Sequence, residues 1–219
     1  VKHKTEPNFV IGAFLTENTP YEKVFETYLL PSLKNMKENY GVESRITTMK
    51  HMGDWTKNVA EKPKIILNML EDMHSEGDTR LLFFLDVDAT IEKYPEVLEQ
   101  MADEYDMGLH YLDWKTWYNY KNSDVKELLT GTMFFRYNER VKNLLKEWYS
   151  EAVKTNVWEQ KVLENIMTKH KKYLTLYEFS VEYCYIKTLP TGREPFVKCD
   201  PVILHHQVSR EMKRIIRKL

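Results

Sequence analysis

The sequence predicts an α/β fold: a doubly wound, Rossmann-like and largely parallel central sheet with a smaller β region late in the chain. Three observations predict it. Over roughly the first half of the chain, short apolar runs alternate with segments of helical spacing. Beyond them the pattern is less regular and richer in strands. Between the two, the run LLFFL at residues 81–85 leads straight into Asp86-Val87-Asp88, which sets carboxylates at the end of a buried strand.

Each element follows from its own pattern. Residues 9–15 (FVIGAFL) are apolar and bounded by Pro7-Asn8 and a polar stretch, so they read as a buried strand. Residues 21–37 have helical spacing through Val24, Tyr28, Leu29 and Leu33, and residues 44–49 read as a second strand. A helix is predicted over 63–74, with Pro63 in its first turn and Ile66, Leu67, Leu70 and Met73 on one face. After the 81–85 strand come a helix at 95–104, strands at 107–112 and 128–135, and helices at 139–154 and 158–169. Short strands are predicted at 174–179, 183–186 and 201–205.

Composition narrows the class. With 42% apolar and 30% charged residues in 219, the chain has the balance of one ordinary globular domain. Lys plus Arg number 32 against 33 acids, so bulk charge points neither to nucleic acid nor to a membrane surface. Cys184 and Cys199 make neither a disulfide framework nor a zinc-ligand spacing, as expected of reduced thiols in a cytoplasmic protein. No stretch approaches the roughly 20 apolar residues of a membrane span, and Val1-Lys2-His3-Lys4 lacks the apolar core of a signal peptide.

The Asp86/Asp88 pair carries the chemistry. Alternate residues of an extended chain point the same way, so the two carboxylates are expected to converge on one cation while Val87 faces the core. A hard divalent ion, Mn²⁺ or Mg²⁺, takes such oxygen ligands and keeps positions open for phosphate oxygens. A lone acid pair also serves as a loop cap. LFFLDVDAT further resembles the DxDxT strand of haloacid-dehalogenase-type phosphatases, with Asp86 as nucleophile and Asp88 as acid/base. That family has the motif on its first strand and a later acidic pair, whereas here some 80 residues precede it and no such pair follows.

Further stretches follow in order: LLTGTMFFRYN, VWEQKVLENIM, EYCYI and PVILHHQVSR, with Lys62-Pro63 ahead of the motif strand. This succession resembles the nucleotide-diphospho-sugar transferases of the GT-A fold, bacterial and phage sequences among them, from about residue 9 to residue 214. The resemblance implies a single glycosyltransferase domain over 1–219. A nucleotide-binding half would run to about residue 110 and an acceptor half from about 111, in a bacterial or phage-infected cytoplasm. It implies a nucleotide-diphosphate sugar donor, UDP-linked, with Asp86 and Asp88 on the metal and donor phosphates and His205, in preference to His206, completing the metal site. Lys62 or Lys64, at a helix N-terminus that favours anions, is expected to reach the diphosphate. Phe14, Thr16 and Tyr21 follow the first strand, where such folds hold the base. Gly131 and Thr132 are expected to let the donor sugar lie close to backbone.

Glu159, in Trp158-Glu159-Gln160, is the expected acceptor-side acid. It would be a general base in an inverting transfer or would orient the sugar in a retaining one. Asp113, beside Trp114 and Trp117, competes for acceptor contact. The acceptor stays open among a glycan, a protein, a small molecule and a hydroxymethylated base in DNA. The last is suggested by the resemblance to phage sequences and by the basic tail, where Met212, Ile215, Ile216 and Leu219 fall at helical spacing; an anionic membrane surface bearing a lipid or glycan acceptor is the tail's other functional reading. A non-catalytic nucleotide- or glycan-binding module is the remaining alternative.

Overall fold

The computed structural model describes residues 6–101, 104–155 and 157–208. The basic tail lies outside them. A six-stranded sheet forms the centre, built from β1 (Phe9–Glu17), β2 (Ser44–Lys50), β3 (Leu81–Leu85), β5 (Met107–Asp113), β6 (Lys126–Phe135) and β7 (Leu176–Glu178). Their spatial order is β2-β1-β3-β6-β5-β7. A smaller sheet joins β4 (Ala89–Ile91), β9 (Ile203–His205) and β8 (Tyr185–Ile186), in that order.

Alternation along β1 and β3 explains why the sheet is covered on both sides. Phe9, Ile11, Ala13 and Leu15, with Leu81, Phe83 and Leu85, face one apolar cluster. Val10, Leu82 and Phe84 face the other. The first cluster includes Leu29, Leu33 and Met36 of α2 (Leu29–Tyr40). The second includes Ile66 and Leu70 of α4 (Lys62–Ser75), Leu144 and Trp148 of α6 (Glu139–Lys154), and Leu163 of α7 (Glu159–His170). This is a mixed α/β fold with a GT-A-like, Rossmann-like central sheet.

Several elements depart from expectation. The helix over 21–37 is two, α1 (Pro20–Thr27) and α2, with the break at Tyr28 (φ -110°, ψ -65°). Pro31 has no N–H for the Thr27 carbonyl four residues back, and its ring crowds that carbonyl, so one continuous helix is disfavoured. Residues 102–103 of the predicted 95–104 helix lie outside the described residues; the described part holds a 3₁₀ turn at Glu96–Gln100 in which only Leu98 is buried, a small apolar face for an α-helix. Strand β6 runs antiparallel to both β3 and β5. The connection from β5 to β6, residues 114–125, holds no helix longer than the four-residue α5 (Trp114–Trp117), so it turns the chain back beside β5 and packs no crossover helix on the sheet. The helix α3 (Trp55–Ala60) was not expected; Asp54 caps it, accepting from the Thr56 amide at 2.6 Å.

β1 and β3 are parallel neighbours, and β2 lies on the far side of β1. The chain therefore winds in opposite directions from β1, and a crevice opens beyond the carboxyl ends of β1 and β3.

Candidate active site

That crevice is a cleft of about 670 Å³, open mouth included. Phe14 and Thr16 from β1, Tyr21 from α1, Lys62 from α4, Asp86 and Asp88 after β3, and Glu159 from α7 all line it. Seven expected residues, far apart in sequence, thus share one wall-and-floor arrangement. Trp55, Asn58 and Gln207 also line it and were not foreseen. Asp54 was the legible signal for Trp55, since an N-cap acid announces a helix start. Trp55 Nε1 donates to the Tyr21 hydroxyl at 3.0 Å, joining two rings on one wall. Burial raises the Tyr21 phenol well above its usual value.

The two aspartates meet for a different reason from the one expected. The strand stops at Leu85, and Asp86–Val87–Asp88 is a turn closed by the Ala89 amide donating to the Asp86 carbonyl at 3.0 Å. Val87 is buried in the core, as alternation required. Asp88 is held on three sides. Its carbonyl accepts from the His206 amide at 3.0 Å and its Oδ2 from the Val208 amide at 3.0 Å. Its Oδ1 lies 3.8 Å from His205 Nδ1. Burial alone would raise the Asp88 carboxyl, but His205 holds it below the ordinary value. Burial raises Asp86, only partly opposed by Lys62.

Lys62 is the least expected feature. Its Nζ is buried, 2.9 Å from both Asp86 Oδ1 and Glu159 Oε1, with Thr130 Oγ1 at 3.4 Å. Burial alone would lower its pKa; Asp86 and then Glu159 outweigh that and hold it above the usual lysine value. Thr130 also donates to Glu159 Oε1 at 3.1 Å. The ammonium expected to reach a diphosphate is therefore already committed to two carboxylates. Lys64, half-exposed, sits near Glu61 and over the Tyr149 ring instead.

His205 and His206 diverge. His205 is buried, and its Nε2 pairs with Thr132 Oγ1 at 2.7 Å. Burial favours its neutral form, yet Cys184 and Asp88 push its pKa up to about 10. His206 turns away, stacked on Tyr28 at 4.2 Å and bonded to Thr90 at 3.2 Å. Gly131 and Thr132 sit under His205 and do not line the cleft. A Cβ on Gly131 would lie 2.8 Å from His205 Cε1, so the glycine makes room for the imidazole, where the sequence suggested room for a sugar. Asp113 caps α5, accepting from the Lys115 amide at 2.8 Å, and stands outside the cleft lining. Trp117 beside it is buried.

Among the described residues, no three His, Cys, Asp or Glu side chains already converge on one point. Asp88 Oδ1 and His205 Nδ1 nonetheless lie 3.8 Å apart, and Asp86 opens onto the same cleft. The donor set suits a hard or borderline divalent cation, which on binding would replace the proton of His205.

A mixed central sheet flanked by helices, with a crevice at its switch point, is the arrangement of the GT-A class of fold. The chain belongs to the nucleotide-diphospho-sugar transferase family, whose model matches residues 81–216. The phosphatase reading accordingly falls: the acid pair follows the third strand in sequence, and the family is that of the transferases. Solved structures of similar fold include a glycosyltransferase involved in the glycosylation of the major capsid of PBCV-1, at 11% identity and TM-score 0.59, covering 96% of this chain and 100% of that one. The galactosyltransferase LgtC, solved with donor and acceptor sugar analogs, matches at 9% identity and TM-score 0.54, covering 90% of this chain and 86% of that one. The bifunctional glycosyltransferase WbbM matches at 8% identity and TM-score 0.56, covering 94% of this chain and 47% of that one. Curated protein sequences include no match to this chain. Among the described residues no helix is long and apolar enough to cross a membrane.

Proposed function

We propose that this chain transfers a hexosyl group from a nucleotide-diphosphate sugar, of the UDP class, to an acceptor hydroxyl with the help of Mn²⁺ or Mg²⁺. One observation carries the reading: Asp86, Asp88 and Glu159 share a cleft at the switch point with the Tyr21–Trp55 aromatic wall. In the reaction the acceptor oxygen bonds to the anomeric carbon. The bond from that carbon to the diphosphate oxygen breaks, and its electron pair leaves with the diphosphate. Asp86, Asp88 and His205 would hold the cation, whose chemistry there would be charge neutralisation of that leaving group.

The chain's own residues do the rest. Tyr21 and Trp55 offer ring faces and edges for the base, with Phe14 and Thr16 beside them. Lys62 and Thr130 fix Glu159 Oε1 before any substrate arrives, so the carboxylate that takes the acceptor proton needs no reorganisation. The basic tail behind the hydroxymethylated-base reading lies outside the described residues, so the glycan and small-molecule readings take precedence.

Calorimetry of UDP and Mn²⁺ tests the metal set. His205→Ala is expected to weaken binding by about ten-fold or more, the worth of one ligand, while His206→Ala stays within a few-fold. The reverse order would move the third ligand to His206 and contradict the assignment.

A further inference from the structure

A second depression is built from aromatic rings. Trp114, Tyr118 and Tyr120 form a cluster, Trp114 edge-on to Tyr118 at 5.6 Å and Tyr118 stacked on Tyr120 at 5.5 Å. Trp158, from the start of α7, lines the same groove. Two of these rings are open to solvent: Tyr120 is 51% exposed and Trp158 43%. Rings of this size are normally buried, and a cluster of them at the surface marks a binding face.

Polar groups are set among the rings. Glu127 accepts from Trp114 Nε1 at 3.3 Å through Oε2 and from Gln160 Nε2 at 3.1 Å through Oε1. Flat apolar faces ringed by amide and carboxylate groups suit a sugar ring, whose C–H faces stack on indole or phenol while its hydroxyls find partners at the edge. The charged groups lining the groove are Lys126 and Lys161 against Glu127 and Glu164. That balance offers no net attraction for phosphates, and a nucleic-acid track needs a surplus of cations.

Trp158 and Gln160 line the groove, whereas Glu159 between them lines the cleft, and the two depressions share no lining residue. We propose that this groove binds a neutral saccharide. An acceptor role for that saccharide would rest on the transferase reading above, whereas its binding does not.

The full chain, fluorescently labelled, is applied to an array of neutral glycans that also carries a hydroxymethylated DNA duplex. UDP binding is followed separately by calorimetry. Retention on at least one neutral glycan class is expected, reduced about ten-fold in Trp158→Ala and in Tyr120→Ala and largely restored in Trp158→Phe. UDP binding should stay within a few-fold in all three. Both residues are about half exposed, so circular dichroism is expected to be unchanged. Retention by no neutral glycan, retention untouched by either alanine, or salt-sensitive retention by the DNA duplex alone would each overturn the proposal. Failure of UDP to bind, with glycan retention still lost in the alanine variants, would remove the transferase reading and leave the saccharide site standing.

Discussion

Lys62 shows how much one side chain decides. A buried ammonium is tolerable only because Asp86 and Glu159 both reach it, and both acids are tolerable in one cleft partly because it is there. Lys62→Met should therefore cost about 3–5 kcal/mol in urea denaturation, the usual result of stranding a buried charge. A loss below about 1 kcal/mol, the range of an exposed pair, would contradict this account. Glu159→Gln keeps the shape and removes the charge, and it should slow transfer by about 10²–10⁴-fold with donor binding little changed. An effect of only a few-fold would reduce Glu159 to a positioning group. Most of the cleft was legible at this scale, because acids after an apolar strand and rings after the first strand stand out in the sequence. The partners of Lys62 were not, since ion pairs between residues 62, 86 and 159 depend on packing that no local pattern encodes. Gly131 was legible as a glycine that something must approach, but the approaching group, His205, comes from 74 positions further along.

Among elements, those with a full apolar face were read closely. Helix α6 spans Glu139–Lys154 as its spacing through Val141, Leu144, Leu145, Trp148 and Ala152 required. Elements went unread where one residue overrides periodicity, as Pro31 does between α1 and α2, or where they are too short to have a period, as with α3, α5 and β4. The junction of β5, α6 and β7 rests on Asp106, whose carboxylate accepts from Asn138 Nδ2 at 2.8 Å, Arg140 Nη2 at 2.7 Å and the Thr175 amide at 2.8 Å. Burial alone would raise this carboxyl, but Arg140, the Thr175 amide and Asn138 hold it below the ordinary value. A depressed carboxyl gives stability that is fully present above its unfolded value, near 3.8, and lost as pH falls through the lower folded value. Asp106→Asn should accordingly lower stability by about 1–3 kcal/mol at neutral pH. It should also flatten the fall in melting temperature below pH 4. Parallel pH–melting curves for the two proteins would contradict the assignment.

At the scale of the molecule, the sheet does the positioning. Winding outward in both directions from β1 opens the crevice, the antiparallel β6 brings Thr130 against Lys62 and Glu159 and Gly131 under His205, and β9 returns His205 beside Asp88. The sequence predicted the doubly wound sheet because apolar runs alternate with helical spacing. It left the direction of β6 open, since strand patterning is the same whichever way a strand runs. The central claim is that this cleft turns over a nucleotide sugar through a cation held by Asp86 and Asp88. Release of nucleoside diphosphate from a panel of UDP- and GDP-sugars, measured with Mn²⁺ and with EDTA, tests it most directly. The account predicts turnover of at least one donor with Mn²⁺, none in EDTA, and nearly none in Asp86→Asn or Asp88→Asn protein that melts cooperatively and keeps its native circular dichroism. Undiminished turnover in EDTA, or in either variant, would contradict it.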